Sequence, residues 1–193
     1  FTFISTNEVG GLIQYCKDTV EIKNLNFENS TIAAKGKVGT VIGYAEPGSI
    51  TLENVNVLSG TVDSEQYSGG LVGKSKANAY FKDCTNKANI TAKYGPTGSS
   101  HAMVAAGIMA NAQQPNDSAS LKFIFDNCTN SGTIRANHND QSESTIGGGI
   151  MGYAYTPQKW TMIFNKCENS GALEVKCEKG DSTYSGSMLG SWG

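Results

Sequence analysis

The sequence predicts an all-β chain wound as a right-handed parallel β-helix of about five three-strand coils, a single domain over residues 1–193, and three observations predict it. A small-residue-flanked apolar pair returns six times, as Gly11-Leu12-Ile13, Thr40-Val41-Ile42-Gly43, Gly70-Leu71-Val72-Gly73, Gly107-Ile108-Met109-Ala110, Gly149-Ile150-Met151-Gly152 and Ser187-Met188-Leu189-Gly190. A second motif follows each of the first five in fixed order: Ile22-Lys-Asn-Leu25, Leu52-Glu-Asn-Val55, Phe81-Lys-Asp-Cys84, Phe125-Asp-Asn-Cys128 and Phe164-Asn-Lys-Cys167. A third short apolar segment closes each unit around Ile32, Val62, Ile90, Ile134 or Leu173, commonly behind a turn-former such as Gly60, Asn89, Gly132 or Gly171. Three motifs recurring in one order mark a whole structural unit, which buries its apolar face by stacking on the next copy.

The opening strand of each coil starts at the apolar pair. Its first residues, Leu12, Val41, Leu71, Ile108, Ile150 and Met188, are separated by 29, 30, 37, 42 and 38 residues, enough for three short strands and three turns. In the middle strand the ends of Phe81-Lys82-Asp83-Cys84 read as facing inward and its two central residues as facing water. Parallel crossovers of this kind default to right-handed winding. The glycines beside the apolar pairs suit a sharp turn where neighbouring coils approach closely.

Cys84, Cys128 and Cys167 occupy the slot that Leu25 and Val55 fill in the first two coils, so they read as small buried hydrophobes in an inward column. Stacked neighbours would lie about 4.8 Å apart, but parallel side-chain directions oppose disulfide geometry. Cys16 and Cys177 stand outside the column and read as free thiols. Asn86, Asn130 and Asn169 each follow the column cysteine by two residues, where stacked amides would form a hydrogen-bonded ladder.

Composition excludes several classes of function. The net charge is −2, the lysines are scattered among acids, and Arg135 is the one arginine, so no basic stripe is offered to nucleic acid. No apolar run approaches the roughly 20 residues of a membrane helix. Two histidines and no Cys-x-x-Cys pair leave no metal-ligand spacing, and no cofactor motif is present. The chain opens at Phe1 without a basic-then-apolar leader, which reads as a piece of a longer exported protein. Catalysis is not expected either. There is no Gly-x-Ser-x-Gly elbow, and the acids of the long loops (Asp63, Glu65, Asp140, Glu143 and Asp181) read equally as solvated surface charge.

Extra residues of the later coils fall at two corners, at Lys93 to His101, Asn137 to Ser144 and Lys176 to Ser182, and again at Gln113 to Ser120 and Tyr153 to Lys159. Loops on a rigid scaffold commonly carry function. Tyr94, Tyr153, Tyr155 and Trp160 lie in or beside them, where exposed rings stack on sugar faces; Trp160 alternatively covers the core edge. His101 and His138 occupy an expanded corner and complete the candidate ligand surface, although a surface histidine accounts for each. Tyr67 and Tyr184 hold equivalent repeat positions and read as packing residues. Sequons at Asn29, Asn89, Asn116 and Asn127 would matter in a secreted eukaryotic chain.

The succession Gly-Gly-Leu-Val-Gly, then Phe-x-x-Cys-x-Asn, then Gly-x-Ile resembles the GLUG-type repeats of bacterial cell-surface proteins, which include adhesins and non-catalytic regions of some secreted peptidases; similar repeats occur in surface proteins of some protists. The resemblance runs from residue 10 to 190 and is best at Gly69 to Ile90 and Gly148 to Leu173. It implies an extracellular or cell-surface location and a role in adhesion or display, with a host or microbial glycan or a surface protein as partner. The alternatives are a filament-forming subunit that self-associates head to tail through its uncapped ends, and a polysaccharide lyase or hydrolase.

Overall fold

The computed structural model describes residues 1–6, 9–93, 102–116, 120–138, 144–155, 160–178 and 182–192. Every strand pairing in it is parallel, and the strands form three sheets that wrap one apolar core, as a parallel β-helix does. One six-stranded sheet holds the closing strands Thr2–Ile4, Ser30–Ala34, Gly60–Ser64, Asn89–Lys93, Ile134–His138 and Leu173–Cys177. In it Phe3, Ile32, Val62, Ile90, Ile134 and Leu173 stack in register.

Opening and middle strands share a twelve-stranded sheet. In the first two coils they run as continuous strands, Ile13–Phe27 and Ile42–Val57, and in later coils they divide, as in Val72–Ser75 and Asn78–Lys82. The third sheet is one that apolar spacing did not reveal. It consists of approach strands just ahead of each apolar pair, at Val9–Gly10, Lys37–Gly39, Tyr67–Gly69, Met103–Ala106, Thr145–Gly148 and Thr183–Gly186. At Tyr67–Gly69, Met103–Ala106 and Thr145–Gly148 both faces of these strands are buried. Tyr67, Val104, Ala110 and Ile146 form a small cluster apart from the main core, so no alternation of polar and apolar residues marks them.

Stacking in register makes identical slots into columns. Ile13, Ile42, Val72, Met109, Met151 and Leu189 line one, and Ile22, Leu52, Phe81, Phe125 and Phe164 another. The phenylalanine rings lie almost parallel, 4.9 Å apart for Phe81 and Phe125 and 5.1 Å for Phe125 and Phe164. Such spacing follows from the strand separation itself.

Phenylalanine and cysteine of the middle motif stand three residues apart, which plain alternation would put on opposite faces. A left-handed residue between them resolves this: Asn24, Asn54, Asp83, Asn127 and Lys166 have φ of 55°, 52°, 53°, 53° and 50°. That corner turns the chain so that both motif ends point inward, and Asn and Asp are the non-glycine residues that tolerate it best. The three column cysteines, and Cys16 and Cys177, are free thiols. Each column thiol donates to a carbonyl of the preceding coil, Cys84 to Leu52 at 3.3 Å, Cys128 to Phe81 at 3.6 Å and Cys167 to Phe125 at 3.2 Å.

Two residues on, Asn86 and Asn130 are buried and pair across coils. Asn86 Nδ2 donates to Asn130 Oδ1, and Asn130 Nδ2 to Asn169 Oδ1, both at 2.7 Å. The same amides also donate to Ala88, Gly132 and Gly171 carbonyls, closing the turn into the closing strand. In register with them stand Phe27 and Val57 of the first two coils. The amide column therefore continues an apolar one, with every donor satisfied within the column and its turn.

Candidate ligand surface

Outward-facing residues of the opening strands form a column of their own, Tyr15, Tyr44, Lys74, Asn111, Tyr153 and Ser191, in direct register. Two residues further along, Lys17, Glu46, Lys76, Gln113 and Tyr155 stand on the same face, with Gln113 opposite Tyr155. Strand alternation dictates this, because Ala45, Ser75, Ala112 and Ala154 between the two columns point inward and are buried. Residues 29 to 42 positions apart in sequence thus meet on one face of the sheet.

One half of the surface is aromatic and neutral. Tyr153 packs against the small cluster of Tyr67, Val104, Ala110 and Ile146, and its ring meets that of Tyr155 edge-on at 5.8 Å. Tyr155 is 45% exposed. Asn111, next in the column, is buried at 2% exposure and its Oδ1 has no hydrogen-bond partner.

The other half is aromatic and basic. Lys74 Nζ lies 5.3 Å from the Tyr67 ring centre and 5.9 Å from that of Tyr44, while Lys76 reaches Tyr44 at 5.8 Å and Lys17 reaches Tyr15 at 6.0 Å. Tyr15 and Tyr44 meet edge-on at 5.1 Å, and the Tyr15 hydroxyl donates to Glu46 Oε1 at 2.5 Å. Burial pushes the Lys74 ammonium down to about 8, helped by the positive charges of Lys37 and Lys76 and only partly offset by Glu46. The bond to Glu46 pushes the Tyr15 hydroxyl up to about 12, and burial raises that of Tyr44. The Tyr15 hydroxyl in turn holds the Glu46 carboxyl below the usual carboxylate range, against the opposing effect of burial. Glu46 feels the charges of Lys17 and Lys76, and Lys74 those of Lys37, Lys76 and Glu46.

Sequence reasoning missed this basic half because it looked to the expanded corners. The signal was present: aligning the coils on their apolar pairs puts Tyr15, Tyr44, Lys74, Asn111 and Tyr153 in one slot. Tyr153 and Tyr155 are the two sequence candidates that the structure brings together. Tyr94 and His101, with Asp140, Glu143 and Asp181, fall outside the described residues.

Two candidates are corrected. His138 is not a surface side chain but is fully buried, because Ile134, Ala136 and His138 take alternate, inward positions of the closing strand. Trp160 covers the core edge instead of standing free. Its ring packs on Phe123 at 5.3 Å, and it belongs to the shell of the main core. Arg135 makes a two-pronged ion pair with Glu174 at 2.8 and 3.1 Å, a solvated cross-coil contact. Tyr67 and Tyr184 are in one column through Val104 and Ile146, with Tyr67 buried and Tyr184 exposed.

Of the sequon asparagines, Asn29 accepts from Ser59 Oγ, Asn89 accepts from the Thr133 amide, and Asn127 donates to Asp83 at 2.6 Å. Asn116 is exposed. Among the described residues no group of three His, Cys, Asp or Glu side chains is placed to hold a metal ion, and no helix is long and apolar enough to cross a membrane.

No protein-family model matches the chain, and no curated protein matches it. Among solved structures it is similar to a crystal structure of a Bacteroides ovatus protein provisionally described as an immunoglobulin A1 protease, with a TM-score of 0.55 and 15% identity over 94% of this chain. The match spans 66% of that protein, just under two thirds of its length. At that identity the likeness is one of fold, and the fold is the parallel β-rich solenoid described above.

Proposed function

We propose that this chain is a non-catalytic binding module of an exported, surface-associated protein, and that it contacts a glycan through the outer face of its opening strands. The observation that carries the reading is the Tyr153–Tyr155 pair. Two rings are held edge-on at 5.8 Å on a sheet whose backbone cannot shift without breaking the ladder on both sides, and Tyr155 presents 45% of its surface. Rings fixed in this way stack on sugar faces with little loss of side-chain entropy on binding, and the neighbouring Gln113 supplies amide hydrogen bonds for hydroxyls. The GLUG-type resemblance supports an extracellular or cell-surface setting. So does the fold likeness to the Bacteroides ovatus protein, with the chain read as a non-catalytic region.

The test incubates the purified chain with a panel of host and microbial polysaccharides, recording bound fraction and newly formed chain ends together. Retention without new ends, lost in Tyr155→Ala and Tyr153→Ala, is the expected result. New chain ends would overturn the non-catalytic reading, and unchanged retention in both variants would discard this surface. Trp160→Ala is unsuitable as a binding probe because the ring packs on Phe123.

A further inference from the structure

We infer that the basic half of this face, built from Tyr15, Tyr44, Tyr67, Lys37, Lys74 and Lys76, is a subsite for a carboxylate-bearing saccharide of the uronic acid type. The inference rests on the proposed glycan-binding role and names the class of sugar. Its geometric ground is that Lys74 lies near the rings of both Tyr67 and Tyr44, at 5.3 and 5.9 Å, and Lys76 approaches Tyr44 at 5.8 Å. An ammonium fixed beside an aromatic wall matches a sugar that carries an apolar ring face and an anion at its edge.

Among the charged and titratable groups that bear on Lys74 are Tyr44 and Glu46 from the strand on one side, Lys76 from its own strand's end, and Lys37 and Tyr67 from the approach strands; Asn111 on the other side is neutral. Glu46 accepts from the Tyr15 hydroxyl, while the Lys74 and Lys76 ammonium groups lie against the rings. Burial chiefly lowers the proton affinity of Lys74 and the charges of Lys37 and Lys76 add to it, and an arriving carboxylate would favour the charged ammonium. Scattered lysines in sequence become a localised patch only because coils 30 residues apart, as at Tyr44 and Lys74, stack in register.

The experiment titrates the protein with oligogalacturonate, with its methyl ester as a neutral copy of the same rings, and with oligothymidylate as a polyanion lacking sugar carboxylates, by calorimetry at pH 7 and pH 9. The expected result is tighter binding of the acid than the ester by about tenfold, loss of that preference in Lys74→Gln and Lys76→Gln, and weaker acid binding at pH 9. Ester binding equal to the acid, or tighter oligothymidylate binding, would overturn this inference. The first of these outcomes would leave the glycan role standing, whereas absence of binding to any saccharide would remove both.

Discussion

Gly107 and Asn130 fill complementary halves of one corner. A methyl group on Gly107 would lie 2.6 Å from both Cβ and Cγ of Asn130, and would also strike the Gly149 carbonyl of the next coil. The relationship repeats at Gly70 with Asn86 and at Gly149 with Asn169. Where Val57 replaces the amide, Thr40 stands in the glycine slot.

Gly107→Ala is therefore expected to destabilise the fold severely, by about 3 kcal/mol or more, since neither the amide column nor the backbone can yield. Asn130→Ala removes the donor to both Asn169 and Gly132 and the acceptor for Asn86, at a cost of about 2–4 kcal/mol. Urea denaturation followed by circular dichroism measures both; a loss below about 1 kcal/mol for either would contradict the packing described.

Lys166 is the left-handed corner residue of its coil with φ of 50°, where the other coils use Asn or Asp. Lys166→Asn and Lys166→Gly should each stabilise the protein by about 0.5–1 kcal/mol, because the strain at positive φ falls. A thermal melt that shows either variant less stable than the parent would remove that explanation of the motif.

Within the thiol column, Cys128 is buried, and its neighbours Cys167 and Cys84, together with burial, push its thiol up. Cys167, half-buried, is pulled down to about 7, chiefly by its hydrogen bond with Cys128. Alkylation by iodoacetamide should accordingly label Cys167 in the native protein, with a rate that climbs between about pH 6 and 8 as the thiolate forms, and should leave Cys128 untouched. Labelling of Cys128 first, read by peptide mass spectrometry, would be incompatible with the column. Cys128→Ser should cost about 1–3 kcal/mol, whereas Cys128→Val reproduces the residue that fills this slot in the second coil and should be tolerated.

Lys74 contributes to stability with a defined sign. Its folded pKa of about 8 lies below the usual lysine value, so between those two values the unfolded chain holds the extra proton and stability rises with pH. Lys74→Met should raise the melting temperature at pH 7 and lose that advantage as pH approaches 10. An advantage independent of pH would assign the gain to packing alone.

Much of this was legible in the chain. Ile32, Val62, Ile90, Ile134 and Leu173 stack as their spacing implies, and Asn86, Asn130 and Asn169 pair through their amides. The approach strands were not legible. Tyr67–Gly69 and Thr145–Gly148 are short, rich in glycine and buried on both faces, and a strand without a wet face leaves no periodicity to read. His138 misled for a related reason. A lone polar residue at a strand's end looks like the start of a loop, yet its side chain still obeys the strand's alternation. The Lys74 group was hidden because its members are neighbours only across coils, while attention to loop length favours insertions over the invariant slots beside them.

The pairing of Gly107 with Asn130 also sets what can be inherited as a unit. The two residues lie 23 positions apart, and the matching pairs at Gly70 and Gly149 lie 16 and 20 positions from Asn86 and Asn169. A duplication or exchange between coils keeps both halves only if its breakpoints fall outside that span. A crossover inside it would join the threonine of one lineage of coil to the asparagine of the other. Copying a whole coil keeps the glycine with its asparagine, whereas a half coil that brings threonine to the asparagine does not.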